Sequence, residues 1–126
     1  MRKKVATFFY EDEFACPCCG EVKIDSDLIA RLDYLRTELG APIEIASGYR
    51  CPTYNKSLGG ARYSAHTIGM AADISIPDNH YRFKLLERIF RHKLFNRIEV
   101  ATGHIHVDVA KDPKYPQYIL WPGISK

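Results

Sequence analysis

Apolar positions recur along this chain with a helical period in two segments. The first segment, residues 25–39, is predicted to be an amphipathic helix from its leucines at steps of four, three and four: Leu28, Leu32, Leu35 and Leu39. A second helix is predicted from the Pro77-Asp78-Asn79 break to about Lys93, and its expected buried stripe is Phe83, Leu86, Ile89 and Phe90.

Other segments alternate apolar and polar residues, which is typical of strands. Strands are predicted over residues 43–46, 70–76, 97–101 and 104–109, the last two joined by a tight turn in which Gly103 takes a positive φ. Residues 47–69 are expected to form an ordered loop region without packed elements, and residues 110–126 an irregular arm that packs by its aromatic side chains. These elements predict a small α+β domain spanning residues 1–126. Its core runs from about 14 to 109, with a central antiparallel sheet flanked by two helices.

Composition narrows the class of protein. The chain has 126 residues, enough for one compact domain, and its apolar and charged fractions of 46% and 26% argue against a disordered, collagenous or coiled-coil protein. A net charge of +3 is too small for the electrostatic footprint of a nucleic-acid binder. No stretch is long and apolar enough to span a membrane, and the N-terminal apolar run is too short for a signal peptide. We therefore expect a protein that works inside a cell or is delivered out of it by another route.

Polar residues with metal-binding chemistry interrupt two of the predicted strands. His104, His106 and Asp108 lie at i, i+2 and i+4, so they share one face of the sheet. His66 and Asp73 are seven residues apart, and a chain reversal at Gly69, where no Cβ obstructs close approach, brings both toward one point. Two imidazoles and a carboxylate make a three-ligand set whose fourth position is open to water, as in catalytic zinc sites.

The order of these residues resembles a known family. The run Ser64-x-His66-x-x-Gly69-x-Ala71-x-Asp73, preceded by Ser47-Gly48-Tyr49-Arg50 and followed by His104-x-His106-Val107-Asp108, is similar to the zinc D-Ala-D-Ala carboxypeptidases and related peptidoglycan peptidases of the M15 family. The resemblance implies one catalytic Zn²⁺ held by His66, Asp73 and His106. It also implies that Arg50 binds a substrate carboxylate or the developing oxyanion, and that the fold is the one shared with hedgehog signalling domains.

A peptidase also needs a group that moves a proton from the attacking water to the leaving amine. Better-known M15 members carry an acidic residue three positions before the second histidine ligand, where this chain has Gly103. His104 is our first candidate for this step. Asp108 is predicted to be a base or the partner of a ligand histidine, and Glu99 is a third candidate. Ser64 is expected either to bind near the metal and contact substrate or to serve as a turn residue.

The predicted function is a zinc-dependent peptidase acting on the peptide stem of bacterial peptidoglycan, first of all a D-Ala-D-Ala carboxypeptidase. An endopeptidase of the phage lysin type is the alternative within the same chemistry. We expect a monomer that is cytoplasmic, or phage-encoded and delivered to the cell wall by another route. A binding module that holds the metal without turnover is the alternative from another class, and a nucleic-acid-binding zinc protein built on the cysteines is the weakest.

Four cysteines have no place in that chemistry. Cys16 and Cys19 have the C-x-x-C spacing of one half of a zinc ribbon, with Cys18 between them, and Cys51 directly follows Arg50. A disulfide or a small thiolate metal site joining Cys51 to the N-terminal cluster would tether the loop that aims Arg50, whereas free thiols are equally compatible with the sequence.

Overall fold

The computed structural model describes residues 2–111 and 113–123. It confirms the predicted α+β fold, with three α-helices, two 3₁₀ turns and one sheet. The α-helices are α1 (Ser26–Leu39), α2 (Pro52–Ser57) and α3 (Asn79–Arg91). The strands are β1 (Ile45–Ser47), β2 (Ala71–Ser75), β3 (Arg97–Val100), β4 (His104–Asp108) and β5 (Ile119–Pro122). The 3₁₀ turns are Glu11–Phe14 and Ala65–Ile68.

The five strands form one sheet in the order β1-β2-β4-β3-β5. Strands β1 to β4 pair antiparallel, as predicted, but β5 adds to the outer edge of β3 in parallel. The prediction of an irregular arm over residues 110–126 is therefore wrong for Ile119–Pro122, while residues 112 and 124–126 lie outside the described residues. Hydrogen bonds fix the arm on the sheet; among them, Arg97 Nη1 donates to the Pro116 carbonyl at 2.7 Å, and the Ile119 N–H donates to the Asn96 carbonyl at 2.8 Å.

The first helix confirms its prediction in detail. The Asp25 carboxylate accepts hydrogen bonds from the backbone N–H groups of Asp27 and Leu28, which caps the start of α1. Gly40 ends the helix in the left-handed region with φ of 66°. All four predicted leucines are buried.

The second predicted helix exists as α3, but its predicted buried stripe is partly wrong. Phe83 and Phe90 are 72% and 55% exposed, whereas Leu85 and Ile89 are buried. Leu85 and Ile89 are four residues apart and therefore share one face, whereas Phe83 points to nearly the opposite side of the helix. The prediction is right for Ile89 and for Leu86, which packs against the core, and wrong for the two phenylalanines, because side-chain size does not decide which face of a helix meets the sheet.

The segment 47–69 contains more regular structure than predicted. Pro52 occupies the first turn of α2, where its missing N–H costs nothing, and the Cys51 thiol accepts from the Tyr54 N–H at 3.4 Å. Six residues are too few to show a helical period, so the pattern gave no signal. The turn between β3 and β4 also differs from the prediction, because Gly103 is not among the glycines with a positive φ.

The sheet has one apolar face and one polar face. The apolar face packs against α1 and α3 and forms the main core with their buried leucines and isoleucine; its members include Ala72, Ile74, Ile98, Ile105 and Val107. The polar face carries the residues with metal-binding chemistry, because side chains alternate along each strand. Within the described residues, no helix combines the length and apolar character required to cross a lipid bilayer.

Candidate metal centre

A single row of side chains crosses the polar face of the sheet from one edge to the other. The strand register pairs Ser47 with Asp73, Asp73 with His106, His106 with Glu99, and Glu99 with Trp121. Residues directly opposite one another in neighbouring strands have their Cβ atoms about 4.5–5.5 Å apart. The sheet therefore brings these five residues together on one surface; we call them the central row.

His66 reaches the central row from the 3₁₀ turn Ala65–Ile68. The Ser64 hydroxyl caps this turn by accepting the His66 N–H at 3.2 Å, and Gly69 ends it with φ of 72°. A Cβ at Gly69 would lie 2.6 Å from the Lys23 carbonyl oxygen, so both the conformation and the close approach require glycine. The predicted chain reversal at Gly69 is thus confirmed.

Three potential ligand atoms converge where this turn meets the sheet. His66 Nε2 and Asp73 Oδ1 are 3.2 Å apart, His106 Nδ1 and Asp73 Oδ1 are 3.0 Å apart, and the two histidine nitrogens are 3.2 Å apart. All three residues are nearly buried. The structure therefore brings the three predicted metal ligands to one point.

The ring nitrogens that point away from the three converging atoms, His66 Nδ1 and His106 Nε2, show which nitrogen of each ring carries the lone pair. His66 Nδ1 lies 2.6 Å from the Gly48 carbonyl oxygen, which can only accept, so Nδ1 carries the proton. His106 Nε2 lies 2.7 Å from Asp108 Oδ2, a carboxylate oxygen that likewise accepts. In neutral rings, His66 Nε2 and His106 Nδ1 then present lone pairs to each other and to the Asp73 carboxylate.

Three lone-pair donors this close together repel one another unless a cation lies among them. Zinc bonds of about 2.0–2.1 Å in tetrahedral geometry separate neighbouring ligand atoms by about 3.3–3.4 Å, and the observed separations of 3.0–3.2 Å are close to this. Imidazole and carboxylate suit zinc and several other divalent ions. The residues therefore fit a divalent metal ion, with His66 Nε2, Asp73 Oδ1 and His106 Nδ1 as its ligands.

Without a metal ion, a proton is the cation that balances this site. Burial of His106 lowers the pKa of the ring, but its hydrogen bonds with Asp108 and Asp73 outweigh burial and raise the pKa to about 9. Burial of Asp73 raises the pKa of its carboxyl, and the hydrogen bonds with His106 and His66 reverse this and hold the pKa well below its usual range. Both shifts reflect a site that requires positive charge.

The metal-free protein is expected to lose stability with rising pH through this histidine. The pKa of His106 is higher in the folded state than the value of 6.5 in an unfolded chain, so its contribution is complete below 6.5 and disappears as pH rises through about 9. Urea unfolding in the presence of chelator, compared between the wild type and His106→Asn, isolates this contribution because other titrating groups cancel. The difference between the two free energies of unfolding should fall across this interval, and a constant difference would contradict the protonated site.

Asp108 fixes the orientation of His106. Besides its contact with His106, the carboxylate accepts from Arg97 Nε at 2.6 Å and from the Ala110 N–H at 3.1 Å, both on Oδ1. The Asp108 side chain is buried, and both oxygens are engaged on the side of the ring away from the ligand atom Nδ1. Of the two roles predicted for Asp108, this geometry favours that of the partner of a ligand histidine.

Replacing Asp108 with asparagine is expected to weaken metal binding by about 10–100-fold, the usual effect of losing a partner of a ligand histidine. The amide lacks the negative charge that makes the imidazole a stronger donor and that pairs with Arg97. Competition with a chromophoric chelator measures the change. Asp78→Asn is the matched control, because Asp78 caps α3 far from the ligands and asparagine caps equally well. Equal affinity in the two variants would remove Asp108 from the metal centre.

Arg50 lies at the β1 edge of the central row, where it contacts Asp73, one of the candidate metal ligands. Its Nη2 donates to Asp73 Oδ2 at 3.1 Å, its Nε donates to Ser47 Oγ at 3.0 Å, and its backbone N–H donates to the His66 carbonyl at 3.1 Å. The side chain is 17% exposed. The guanidinium is thus held beside the ligands with part of its surface open to solvent.

His104 and Glu99 lie on the solvent side of the same centre. His104 Nε2 is 3.6 Å from Glu99 Oε1 and 3.9 Å from Asp73 Oδ2, and its side chain is 36% exposed. Glu99 Oε2 accepts from the Trp121 indole N–H at 3.0 Å, which fixes the carboxylate. The structure brings His104 close to the ligands, as the shared strand face predicts. Ser64 makes the capping contact described above, in which its hydroxyl accepts the His66 N–H.

The sequence interpretation did not include Arg97 and Trp121 in the site. Arg97 alternates with Glu99 on β3, so the pattern that placed Glu99 on the polar face also places Arg97 there, opposite Asp108. Trp121 gave no such signal, because the strand that carries it was not predicted. Its ring centroid lies 5.8 Å from that of His106, so it covers the metal centre from the β5 side.

Comparison with known proteins agrees with this geometry. Residues 7–108 match the family model described as Peptidase M15, which covers all three candidate ligands, Arg50 and His104. No curated protein matches the chain significantly.

Proposed function

The chain belongs to the peptidase M15 family and is a metal-dependent peptidase, and from this premise we propose that it hydrolyses the peptide stem of bacterial peptidoglycan with zinc as its metal. The first proposed activity is removal of the terminal D-Ala from a D-Ala-D-Ala stem. The substrate makes the bacterial cell wall the proposed place of action.

The observation that carries the carboxypeptidase proposal is the position of Arg50 directly beside a metal ligand. In a C-terminal dipeptide, the terminal carboxylate carbon is three bonds from the scissile carbonyl carbon. A guanidinium within hydrogen-bond distance of Asp73 is close enough to bind that carboxylate while the scissile carbonyl lies at the metal centre. This arrangement favours a substrate with a free carboxyl end.

When bound, a divalent ion supplies a Lewis acid for the peptide carbonyl and lowers the pKa of a water molecule. The chain's own residues supply the remaining steps. Arg50 binds and orients the terminal carboxylate, while Asp108 and the Gly48 carbonyl hold the two ligand histidines in their rotamers. His104 accepts a proton from the attacking water and passes it to the leaving amine, and Glu99 stabilises the charged imidazole during the transfer.

Hydrolysis of defined muropeptides, analysed by mass spectrometry, tests the proposal. Loss of one alanine from pentapeptide stems, with none from stems already shortened by that residue, supports the carboxypeptidase. Cleavage at an internal or cross-link bond identifies the endopeptidase instead. The absence of any cleavage by fully metal-loaded protein would overturn both and leave a binding module.

A further inference from the structure

A second group of potential metal ligands lies outside the peptidase centre. The Sγ atoms of Cys16, Cys19 and Cys51 all lie within 4.8 Å of one another, and no cysteine among the described residues forms a disulfide. Cys18 is not part of this group, although interactions with Cys51 and Cys16 raise the pKa of its thiol. Three thiols from two distant parts of the chain thus meet at one place.

The backbone around Cys16 has the geometry of a turn that holds a thiolate. The Gly20 N–H donates to the Cys16 carbonyl at 2.8 Å, and Gly20 has φ of 76°, which closes the Cys16–Cys19 loop tightly. The Cys51 N–H points at Cys16 Sγ, with a nitrogen–sulfur distance of 3.4 Å. The Tyr54 N–H makes the same contact with Cys51 Sγ. Backbone N–H groups aimed at sulfur stabilise negative charge on it.

We propose that Cys16, Cys19 and Cys51 bind a second metal ion, a structural Zn²⁺. Zinc–sulfur bonds of about 2.3 Å separate tetrahedral sulfur ligands by about 3.8 Å, a distance that three thiols already within 4.8 Å reach by small rotations. Thiolates select zinc and other soft ions over magnesium or calcium. Each thiol releases its proton as it binds.

Convergence of this many thiols distinguishes a metal site from a disulfide. A disulfide joins two of these three sulfurs and leaves the third without a role, whereas one metal ion can bind all three. The C-x-x-C spacing supplies two ligands from one turn, as in zinc ribbons, and Cys51 replaces the missing second turn.

The proposed ion connects the N-terminal segment to the loop that carries Arg50. Cys51 directly follows Arg50, and the Tyr49 N–H already donates to the Phe14 carbonyl at 2.9 Å, two residues before Cys16. A Cβ at Gly48 would lie 2.6 Å from Phe14 Cα, so the two segments are in close contact. The ion therefore restrains this contact from a second point.

Metal stoichiometry and the spectrum of the cobalt-substituted protein test this site independently of peptidase activity. The wild type should bind two ions, and Co²⁺ should produce a thiolate-to-cobalt charge-transfer band in the near ultraviolet. Cys19→Ser, at an exposed position, should bind one ion and lose most of the band. His106→Ala is the reciprocal control, because it should also lose one ion yet keep the band.

Two results would overturn the proposal. One is a wild-type cobalt protein without the charge-transfer band, which needs no variant and so does not depend on how well Cys19→Ser folds. The other is a mass two hydrogens below that of the reduced chain, which identifies a disulfide. If His106→Ala loses its ion and the wild-type protein also lacks the charge-transfer band, the peptidase proposal stands and the thiolate site is excluded.

Discussion

Replacing His106 with alanine is expected to lower kcat/KM for peptide hydrolysis by at least about 10³-fold. The metal's stabilisation of the transition state is worth several kcal/mol, and each 1.36 kcal/mol is about tenfold in rate. His106 supplies one of the three proposed ligand atoms, and we expect that the remaining two, His66 Nε2 and Asp73 Oδ1, do not retain the ion at working concentrations. Steady-state kinetics on a pentapeptide stem, with metal content measured on the same samples, gives both values.

His80→Ala is the matched control for this loss. His80 is exposed near the start of α3, away from the central row, so its removal should change neither metal content nor rate. Comparable circular dichroism of both variants separates loss of the metal from loss of the fold. A His106→Ala protein that keeps wild-type activity would contradict the assignment of the metal centre.

Replacing His104 with alanine is expected to lower kcat by about 10²–10⁴-fold, the usual contribution of a positioned acid or base, while the metal stays bound. His104 faces the metal centre from the solvent side, next to Asp73 and Glu99, but its ring is not among the three ligands that converge. Metal affinity of the variant should therefore stay within a few-fold of the wild type. This separation of turnover from metal content distinguishes proton transfer from ligation.

Glu99→Gln extends the test to the partner of His104. The single oxygen of the amide can still accept from the Trp121 indole N–H, but an NH₂ group then replaces the oxygen near His104, and the charge that stabilises the protonated ring is lost. We expect a smaller loss of kcat than in His104→Ala, and full activity of Glu99→Gln would contradict this role. Full activity of His104→Ala would show that another group transfers the proton.

The candidate site could be predicted from the sequence because its residues obey the alternation of strands. His104, His106 and Asp108 share a face by counting alone, and Gly69 marks the reversal that brings His66 to Asp73. Helix α1 could be predicted from the sequence for a similar reason, since a leucine stripe and an aspartate cap are local signals.

The parts that were missed depend on contacts between distant segments. Trp121 enters the site because β5 pairs with β3, and the arm that carries it shows no alternation of its own, with a burial pattern that is almost uniformly exposed. The buried face of α3 is decided by its packing against the sheet and α1, which leaves Phe83 in solvent. The convergence of Cys51 with Cys16 and Cys19 likewise depends on how the loop after β1 folds back on the N-terminal segment.

Anomalous diffraction from crystals grown with zinc shows directly whether a zinc ion binds at the proposed metal centre. We expect an anomalous peak within bonding distance of His66 Nε2, Asp73 Oδ1 and His106 Nδ1, with Arg50 and His104 near the ion but not bonded to it. A fully zinc-loaded, active protein with no peak among these three atoms would contradict it.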